Sequence, residues 1–207
     1  MKLSLVRHGQ TDENKHNIVQ GQGCGMLNNV GLKQAKLLAE YLKDIPIDLI
    51  YCSDMQRAMD TLEPALKYLK CPVHYRIELR EKSFGIFEMK PAHIYYKVVA
   101  ENGLSKTTFC PEGGESFIQM KMRISKFWDF LKSTYVFNRN QDTHVLCMTH
   151  GGTVRCFLAL LDIMTIEDTL LTTINNTSIT TIYFDSDYQI ESCDINNVTH
   201  LPIELRT

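Results

Sequence analysis

The chain has 207 residues, 44% of them hydrophobic and 22% charged, which is the balance of a soluble globular protein of ordinary domain size. A net charge of −2 and the lack of a basic arm exclude a general attraction to nucleic acid or to anionic membranes. No apolar run is long enough for a signal peptide or a membrane span. The seven cysteines form no C-x-x-C pair, which indicates free thiols. From these two observations we expect a cytoplasmic protein.

Strand-like and helix-like segments alternate along the chain. Short apolar runs predict strands at residues 3–6, 47–52, 72–77 (weakly), 143–148 and 179–184. A further run at residues 188–195 follows a turn closely and predicts an antiparallel edge strand.

Between the strands, apolar residues recur at helical spacing. The first predicted helix has Asn29 as its N-terminal cap. The second predicted helix contains Pro64, which is expected to kink it. Ser116 and Gln119 have capping-box spacing and open the third helix, and Gly151 opens the fourth. The predicted buried faces are Leu32, Ala35, Leu38, Ala39 and Leu42; Ala58, Thr61, Leu62, Ala65, Leu66 and Leu69; Phe117, Met120, Ile124, Phe127 and Leu131; and Val154, Leu158 and Leu161.

This alternation predicts an α/β fold, a three-layer αβα sandwich with a mostly parallel sheet, formed as a single domain over residues 1–207. Residues 90–111 show no clean period and carry aromatic and basic side chains such as Tyr95, Tyr96 and Lys106. We interpret this segment as a small cap inserted over a crevice at the sheet edge, the alternative being a long connection.

The pentapeptide Arg7-His8-Gly9-Gln10-Thr11 directly follows the first predicted strand. A strand end lies at the edge of the sheet, where open α/β folds hold their ligands. Arginine presents a planar set of donors that matches a phosphate, and a histidine that is neutral near pH 7 can act as a nucleophile. The pentapeptide therefore indicates a phosphoryl-transfer site, although one such motif also occurs by accident.

Two more strand ends carry the same residue types. Arg57 follows the second predicted strand and lies in the first turn of a helix, while His150 follows the fourth. Gly151 and Gly152 then open a helix whose free N–H groups favour a phosphate. Two arginines suit a dianionic phosphoryl group better than a carboxylate, so the combination supports phosphoryl transfer more strongly than any member alone.

A histidine nucleophile needs an acid that protonates the departing alkoxide. Glu81 and Glu88 are the candidate acids, in the segment Leu79-Arg80-Glu81-Lys82-Ser83-Phe84-Gly85-Ile86-Phe87-Glu88. The simpler interpretation of Glu81 is a solvated charge between Arg80 and Lys82.

Six motifs in a fixed order identify a resemblance that runs from Leu5 to about Ser178. They are Arg7-His8-Gly9-x-Thr11 with Asn14; Leu27-Asn28-x-x-Gly31-x-x-Gln34-Ala35; Ser53-Asp54-x-x-Arg57-Ala58-x-x-Thr61; Leu79-x-Glu81-x-x-Phe84-Gly85-x-x-Glu88; Gly113-Gly114-Glu115-Ser116; and Thr149-His150-Gly151-Gly152. This pattern resembles the histidine phosphatase superfamily, also called phosphoglycerate mutase-like. Residues 174–180 are similar to the tail of its bacterial broad-specificity and alpha-ribazole-type phosphatases.

The resemblance implies a phosphomonoester hydrolase that acts through a phosphohistidine on a small phosphorylated metabolite. His8 is then the expected nucleophile, and Glu81 the general acid and later the base that activates water. The expected contacts of the phosphoryl group and substrate are Arg7, Arg57, His150, Asn14, Gln20, Gly21 and Gly151. No metal and no cofactor is implied, because arginines and histidines neutralise the phosphoryl charge.

The resemblance leaves two alternatives open. A 2,3-bisphosphoglycerate-dependent mutase must keep water out, and family mutases are longer, whereas this chain has only a modest insert between Met89 and Glu112. A catalytically inactive interaction module is disfavoured because all five expected catalytic residues are present. Cys24, Met26 and Met89 depart from the family pattern beside the site and leave substrate preference open.

Overall fold

Six strands form one mixed sheet in the computed structural model, which describes residues 1–136 and 143–207. The spatial order is β3-β2-β4-β1-β5-β6. The pairs β3–β2, β2–β4 and β4–β1 are parallel, whereas β5 is antiparallel to β1 and β6 to β5. In chain order the strands are β1 Lys2–Arg7, β2 Leu49–Cys52, β3 Val73–Tyr75, β4 His144–Thr149, β5 Ile179–Phe184 and β6 Ile190–Asn197.

All six predicted strands are confirmed; the strand at 179–184 has the predicted bounds, and the bounds of the other five are shifted. The weak prediction at 72–77 shrinks to the three residues of β3, and β2 begins at Leu49 rather than at residue 47. The predicted antiparallel edge is β6. β5 also runs antiparallel to β1, which the alternation of helices and strands in the sequence did not predict.

Seven α-helices connect the strands within the described residues. They are α1 Asp12–Lys15, α2 Asn29–Leu42, α3 Gln56–Leu62, α4 Ala92–Glu101, α5 Phe117–Leu131, α6 Gly151–Leu160 and α7 Ile166–Leu171. Shorter 3₁₀ turns lie at Glu63–Ala65, Ile77–Leu79, Gly85–Phe87 and Ile203–Leu205, and a π turn spans Lys132–Val136. Across the described ranges, none of these helices has the length and hydropathy to cross a membrane.

The start of α2 corrects the predicted cap by one residue. The Asn28 side chain, not Asn29, accepts hydrogen bonds from the backbone N–H groups of Val30 (3.0 Å) and Gly31 (2.9 Å). The buried face accordingly includes Gly31 and Gln34, while Leu32 is 47% exposed and was wrongly assigned to it.

The second predicted helix ends earlier than expected. α3 stops at Leu62, and Pro64 lies in a separate 3₁₀ turn, because proline lacks the N–H that would continue the ladder. Leu69 is still buried, but Leu66 is exposed.

The predicted capping box of α5 is confirmed: Gln119 N–H donates to Ser116 Oγ at 3.1 Å.

Strand side chains alternate between the two faces of the sheet, and each face has its own apolar core. Leu3, Leu5, Tyr51, Val145 and Cys147 pack with residues of α5 and α6. On the other face, Val6, Ile50, Cys52, Leu146 and Met148 pack with residues of α2 and α3. This arrangement is the expected three-layer sandwich, and it leaves the carboxyl ends of β1, β2 and β4 side by side.

The segment 90–111 contains α4 rather than irregular chain alone. Tyr95 and Val99, one turn apart on α4, are buried with Phe87 in a third, smaller apolar cluster. Met89, where the family often has glycine, lies just before this segment at a φ of +61°. That left-handed conformation favours glycine, so a methionine at this position is held in a strained backbone conformation.

Candidate active site

A cavity of about 490 Å³ opens at the carboxyl ends of the central strands. It lies beside β1, whose last residue Arg7 is paired with Thr149 of β4. Eight of the nine predicted site residues line it: Arg7, His8, Asn14, Gln20, Gly21, Arg57, Glu81 and Gly151. The ninth, His150, is fully buried behind it, with its ring centroid 5.1 Å from that of His8.

His8 is held as a neutral imidazole by hydrogen bonds at both ring nitrogens. Nδ1 donates to the carbonyl of Gly9 at 2.7 Å, so Nε2 carries the lone pair and accepts a hydrogen bond from Nε–H of Arg57 at 3.3 Å. Burial, followed by the charges of Arg57 and Arg7, holds the pKa of His8 well below its usual range. The side chain is therefore an unprotonated nitrogen nucleophile beside two cations.

The two arginines have no carboxylate partner in the described part of the chain. Arg57 donates to the carbonyls of Gly21 (2.8 Å) and Gly23 (3.2 Å), and Arg7 to that of Ile174 (2.6 Å). Burial lowers the pKa of Arg57, and burial together with Arg155 lowers that of Arg7 to about 10. Both remain charged near pH 7, and two guanidinium groups that form no ion pair with the described residues favour an anion in the cavity.

His150 is fixed through one nitrogen and unpartnered at the other. Its Nε2 is 2.8 Å from Ser53 Oγ, while the buried Nδ1 has no hydrogen-bond partner among the described residues. Burial and the nearby Arg57 hold its pKa well below the usual value. Ser53 belongs to a recognised motif, but its contact with His150 was not predicted.

Glu81 is held by two backbone donors. Its Oε2 accepts from Gly152 N–H at the start of α6 (2.9 Å) and its Oε1 from Lys82 N–H (2.7 Å). A Cβ added at Gly152 would lie 2.1 Å from Oε1, so only glycine permits this approach. Glu81 is thus positioned at the cavity rather than being a solvated surface charge.

Glu88, the other candidate acid, does not line the cavity. Its Oε1 accepts from Gln22 N–H at 2.9 Å and Phe84 N–H at 3.0 Å. Glu88 therefore links two loops away from the cavity, and of the two candidate acids its position favours Glu81.

Asn14, Gln20 and a residue that the sequence interpretation missed form one polar network. Asn14 Nδ2 donates to Gln20 Oε1 at 3.4 Å. Asn176, buried in the loop before β5, donates through Nδ2 to the His8 carbonyl (2.9 Å) and to Asn14 Oδ1 (3.2 Å). The similarity of residues 174–180 to a phosphatase tail was the signal that could have identified Asn176.

Residues beyond the nine predicted site residues complete the cavity wall. Lys82, Tyr95, Tyr96, Lys106 and Arg155 all line it, and three of them lie in the segment 90–111. In the described part of the chain, no group of three or more His, Cys, Asp or Glu residues could hold a metal ion.

Comparison with protein families gives a match over residues 3–194 to the model of the histidine phosphatase superfamily (branch 1). A probable phosphatase of Schizosaccharomyces pombe is 36% identical over 156 residues, covering 74% of this chain and 70% of that protein. The fructose-2,6-bisphosphatase TIGAR of Bos taurus is 35% identical over 134 residues, which cover 62% of this chain but only 50% of that protein.

Solved structures share the whole architecture. The alpha-ribazole phosphatase of Shigella flexneri superimposes with a TM-score of 0.80 at 25% sequence identity, covering 95% of this chain and 96% of that one. The agreement extends over both layers of helices and the sheet between them, so the fold expected from the motifs is confirmed.

Proposed function

Since the chain belongs to the histidine phosphatase superfamily (branch 1), we propose that it hydrolyses a small phosphomonoester through a phosphohistidine formed on His8. The observation that carries the proposal is the state of His8: a buried, neutral imidazole whose Nε2 lone pair accepts a hydrogen bond from Arg57, a donor that an oxygen of a bound phosphoryl group would take over. Such a nitrogen can attack phosphorus, and the flanking cations stabilise the charge on the transferring group.

In the first step, the bond between Nε2 and phosphorus forms as the bond between phosphorus and the ester oxygen breaks. Arg7 and Arg57 line the cavity and are proposed to hold the equatorial oxygens. His150, which is buried next to His8 and has no partner for Nδ1 among the described residues, is proposed as a further donor through Nδ1–H once the phosphoryl group is bound. The departing alkoxide takes a proton from Glu81, which the backbone N–H groups of Gly152 and Lys82 hold at the cavity wall.

In the second step, water attacks the phosphohistidine. Glu81, now a carboxylate, removes a proton from this water as the bond from phosphorus to Nε2 breaks, and phosphate leaves. Further substrate contacts are proposed for four residues that line the same cavity, Asn14, Gln20, Gly21 and Gly151.

All seven cysteines are free thiols, which supports the proposal that the protein works in a reducing compartment such as the cytoplasm.

A paired assay on purified protein without added metal tests the proposal. One arm follows phosphate release from a panel of phosphomonoesters that includes p-nitrophenyl phosphate. The other follows interconversion of 3- and 2-phosphoglycerate with catalytic 2,3-bisphosphoglycerate present. We expect phosphate release with negligible interconversion, and alkaline quenching should trap phosphate on a histidine.

The opposite pattern would identify a mutase. Fast interconversion with little release would mean that water is excluded from the phosphoenzyme, contradicting hydrolysis as the main reaction. Inactivity in both arms would favour the interaction module.

A further inference from the structure

Ser53 directly follows β2 and contacts the buried His150. Its side chain is fully buried, and its hydroxyl group takes part in two hydrogen bonds within the described residues. Oγ accepts from the backbone N–H of Met55 at 3.4 Å and lies 2.8 Å from Nε2 of His150. Neither Ser53 nor His150 is exposed to solvent, so each polar atom of this pair depends on the protein or on a ligand for its partner.

A count of donors and acceptors decides the direction of the hydrogen bond between Ser53 and His150. A neutral imidazole carries one N–H, at either Nδ1 or Nε2. With the proton on Nε2, Ser53 would accept from both His150 and Met55, and its own buried hydroxyl hydrogen would have no acceptor among the described residues. With the proton on Nδ1, Ser53 donates to Nε2 and accepts from Met55, so the hydroxyl group is fully satisfied.

The second arrangement leaves one group without a partner, the buried Nδ1–H of His150. A buried N–H without an acceptor is unfavourable until a ligand supplies one. The ring of His150 lies 5.1 Å from that of His8, centroid to centroid, so a phosphoryl group bound at His8 would bring anionic oxygens close to it. The first arrangement would instead present a lone pair on Nδ1, which repels such an oxygen.

We propose that Ser53 is a positioning residue that donates to Nε2 of His150, fixes this histidine as the Nδ1–H tautomer and so preserves a neutral donor for a phosphoryl oxygen. The inference rests on the proposed phosphatase function and deepens it. Ser53 does not line the cavity, so it acts through the imidazole of His150. In a histidine, the hydrogen bond at one ring nitrogen determines which nitrogen carries the proton.

The position of the proton can be measured on the native protein. In protein labelled with nitrogen-15 histidine, long-range proton–nitrogen NMR spectra near pH 7 distinguish a ring nitrogen that carries a proton from one that carries a lone pair. The spectrum of His150→Gln identifies the signals of His150. We expect a proton on Nδ1 and a lone pair on Nε2. A proton on Nε2 would show that Ser53 is the acceptor and would overturn the inference.

Ser53→Ala removes the hydroxyl group alone. Nothing among the described residues then holds the proton of His150 on Nδ1, so both tautomers should be populated. The inhibition constant of inorganic phosphate should rise about 10-fold, the lower end of the value of a hydrogen bond to a charged group, and kcat/KM for p-nitrophenyl phosphate should fall by a similar factor. Ser53→Thr keeps the hydroxyl group and should retain the Nδ1 proton and most of the phosphate affinity.

Ser125→Ala is the matched control. The Ser125 hydroxyl donates to the carbonyl of Met122 at 2.9 Å on α5 and does not line the cavity, so its loss should change neither the spectrum nor the inhibition constant. A Ser53→Ala protein that kept either the native proton position or the native inhibition constant would overturn the inference, whatever its melting temperature.

Two further outcomes are distinguishable. If Ser53→Ala does not fold, the native spectrum still decides which group donates. Failure of the native protein to release phosphate from any ester would overturn the proposed function, and with it the role of Ser53 in phosphoryl binding. The tautomer of His150 would still be measured in that case, because the spectrum requires no turnover.

Discussion

Replacing His8 with alanine is expected to reduce phosphate release by at least about 10⁴-fold, the order of loss seen when a covalent nucleophile is removed from an enzyme. Arg7 and Arg57 can still bind phosphate in this variant, but neither can form the covalent intermediate. The other histidine, His150, cannot replace His8, because its Nε2 is hydrogen-bonded to Ser53 and its ring lies behind the cavity. The measurement is steady-state release from p-nitrophenyl phosphate, together with alkaline quenching to detect phosphohistidine.

His74→Ala is a suitable control, since His74 is exposed on the edge strand β3 and does not line the cavity. The fold of the His8→Ala protein should be retained, because the variant removes a buried neutral ring that lies beside two cations. A folded His8→Ala protein that still turned over at the native rate would refute the phosphohistidine mechanism.

Replacing Glu81 with glutamine is expected to slow the hydrolysis of alkyl phosphates by about 10²- to 10⁴-fold, the usual contribution of a general acid. p-Nitrophenol leaves without full protonation, so formation of the phosphoenzyme from its ester should be affected much less. Rapid mixing should therefore show a burst of p-nitrophenol followed by slow turnover, because the same variant lacks the base that activates water. Equal losses in the first step for both ester types would argue against Glu81 as the acid.

Two controls accompany this variant. Both oxygens of Glu81 accept backbone N–H groups, and glutamine can satisfy only one of them, so the melting temperature must show that the local structure survives. Glu191→Gln changes an exposed carboxylate on β6 and should leave both ester classes unaffected.

The strand-end residues could be predicted because their positions follow from chain order. A short apolar run places the next residue at the sheet edge, and parallel strands put several such ends together. Arg7, His8, Arg57 and Gly151 were found in this way, and the structure brings them to one cavity. The same logic found the capping box of α5, which depends on residues three apart.

Contacts between distant segments could not be predicted in this way. Asn176 reaches His8 across 168 positions of sequence, and Ser53 reaches His150 across 97. The clustering of Lys82 with Tyr95 depends on how α4 folds back over the loop before it, which no periodicity in residues 90–111 indicated. The one-residue error at Asn28 arose because two adjacent asparagines are equally good caps by type.

The neutral state of His8 and His150 has a consequence for the acid stability of the protein. In the unfolded chain both imidazoles would take up protons below a pH of about 6.5, whereas burial prevents this in the folded chain. The free energy of unfolding should therefore fall with decreasing pH below that value, by roughly 1 kcal/mol per histidine between pH 7 and 5.5.

Urea unfolding of the native and His8→Ala proteins at the two pH values would measure this effect, with a shallower decline expected in the variant. Equal declines would show that His8 is protonated in the folded protein. The environment that keeps the nucleophile available in mildly acidic solution thus makes the folded chain itself less tolerant of acid.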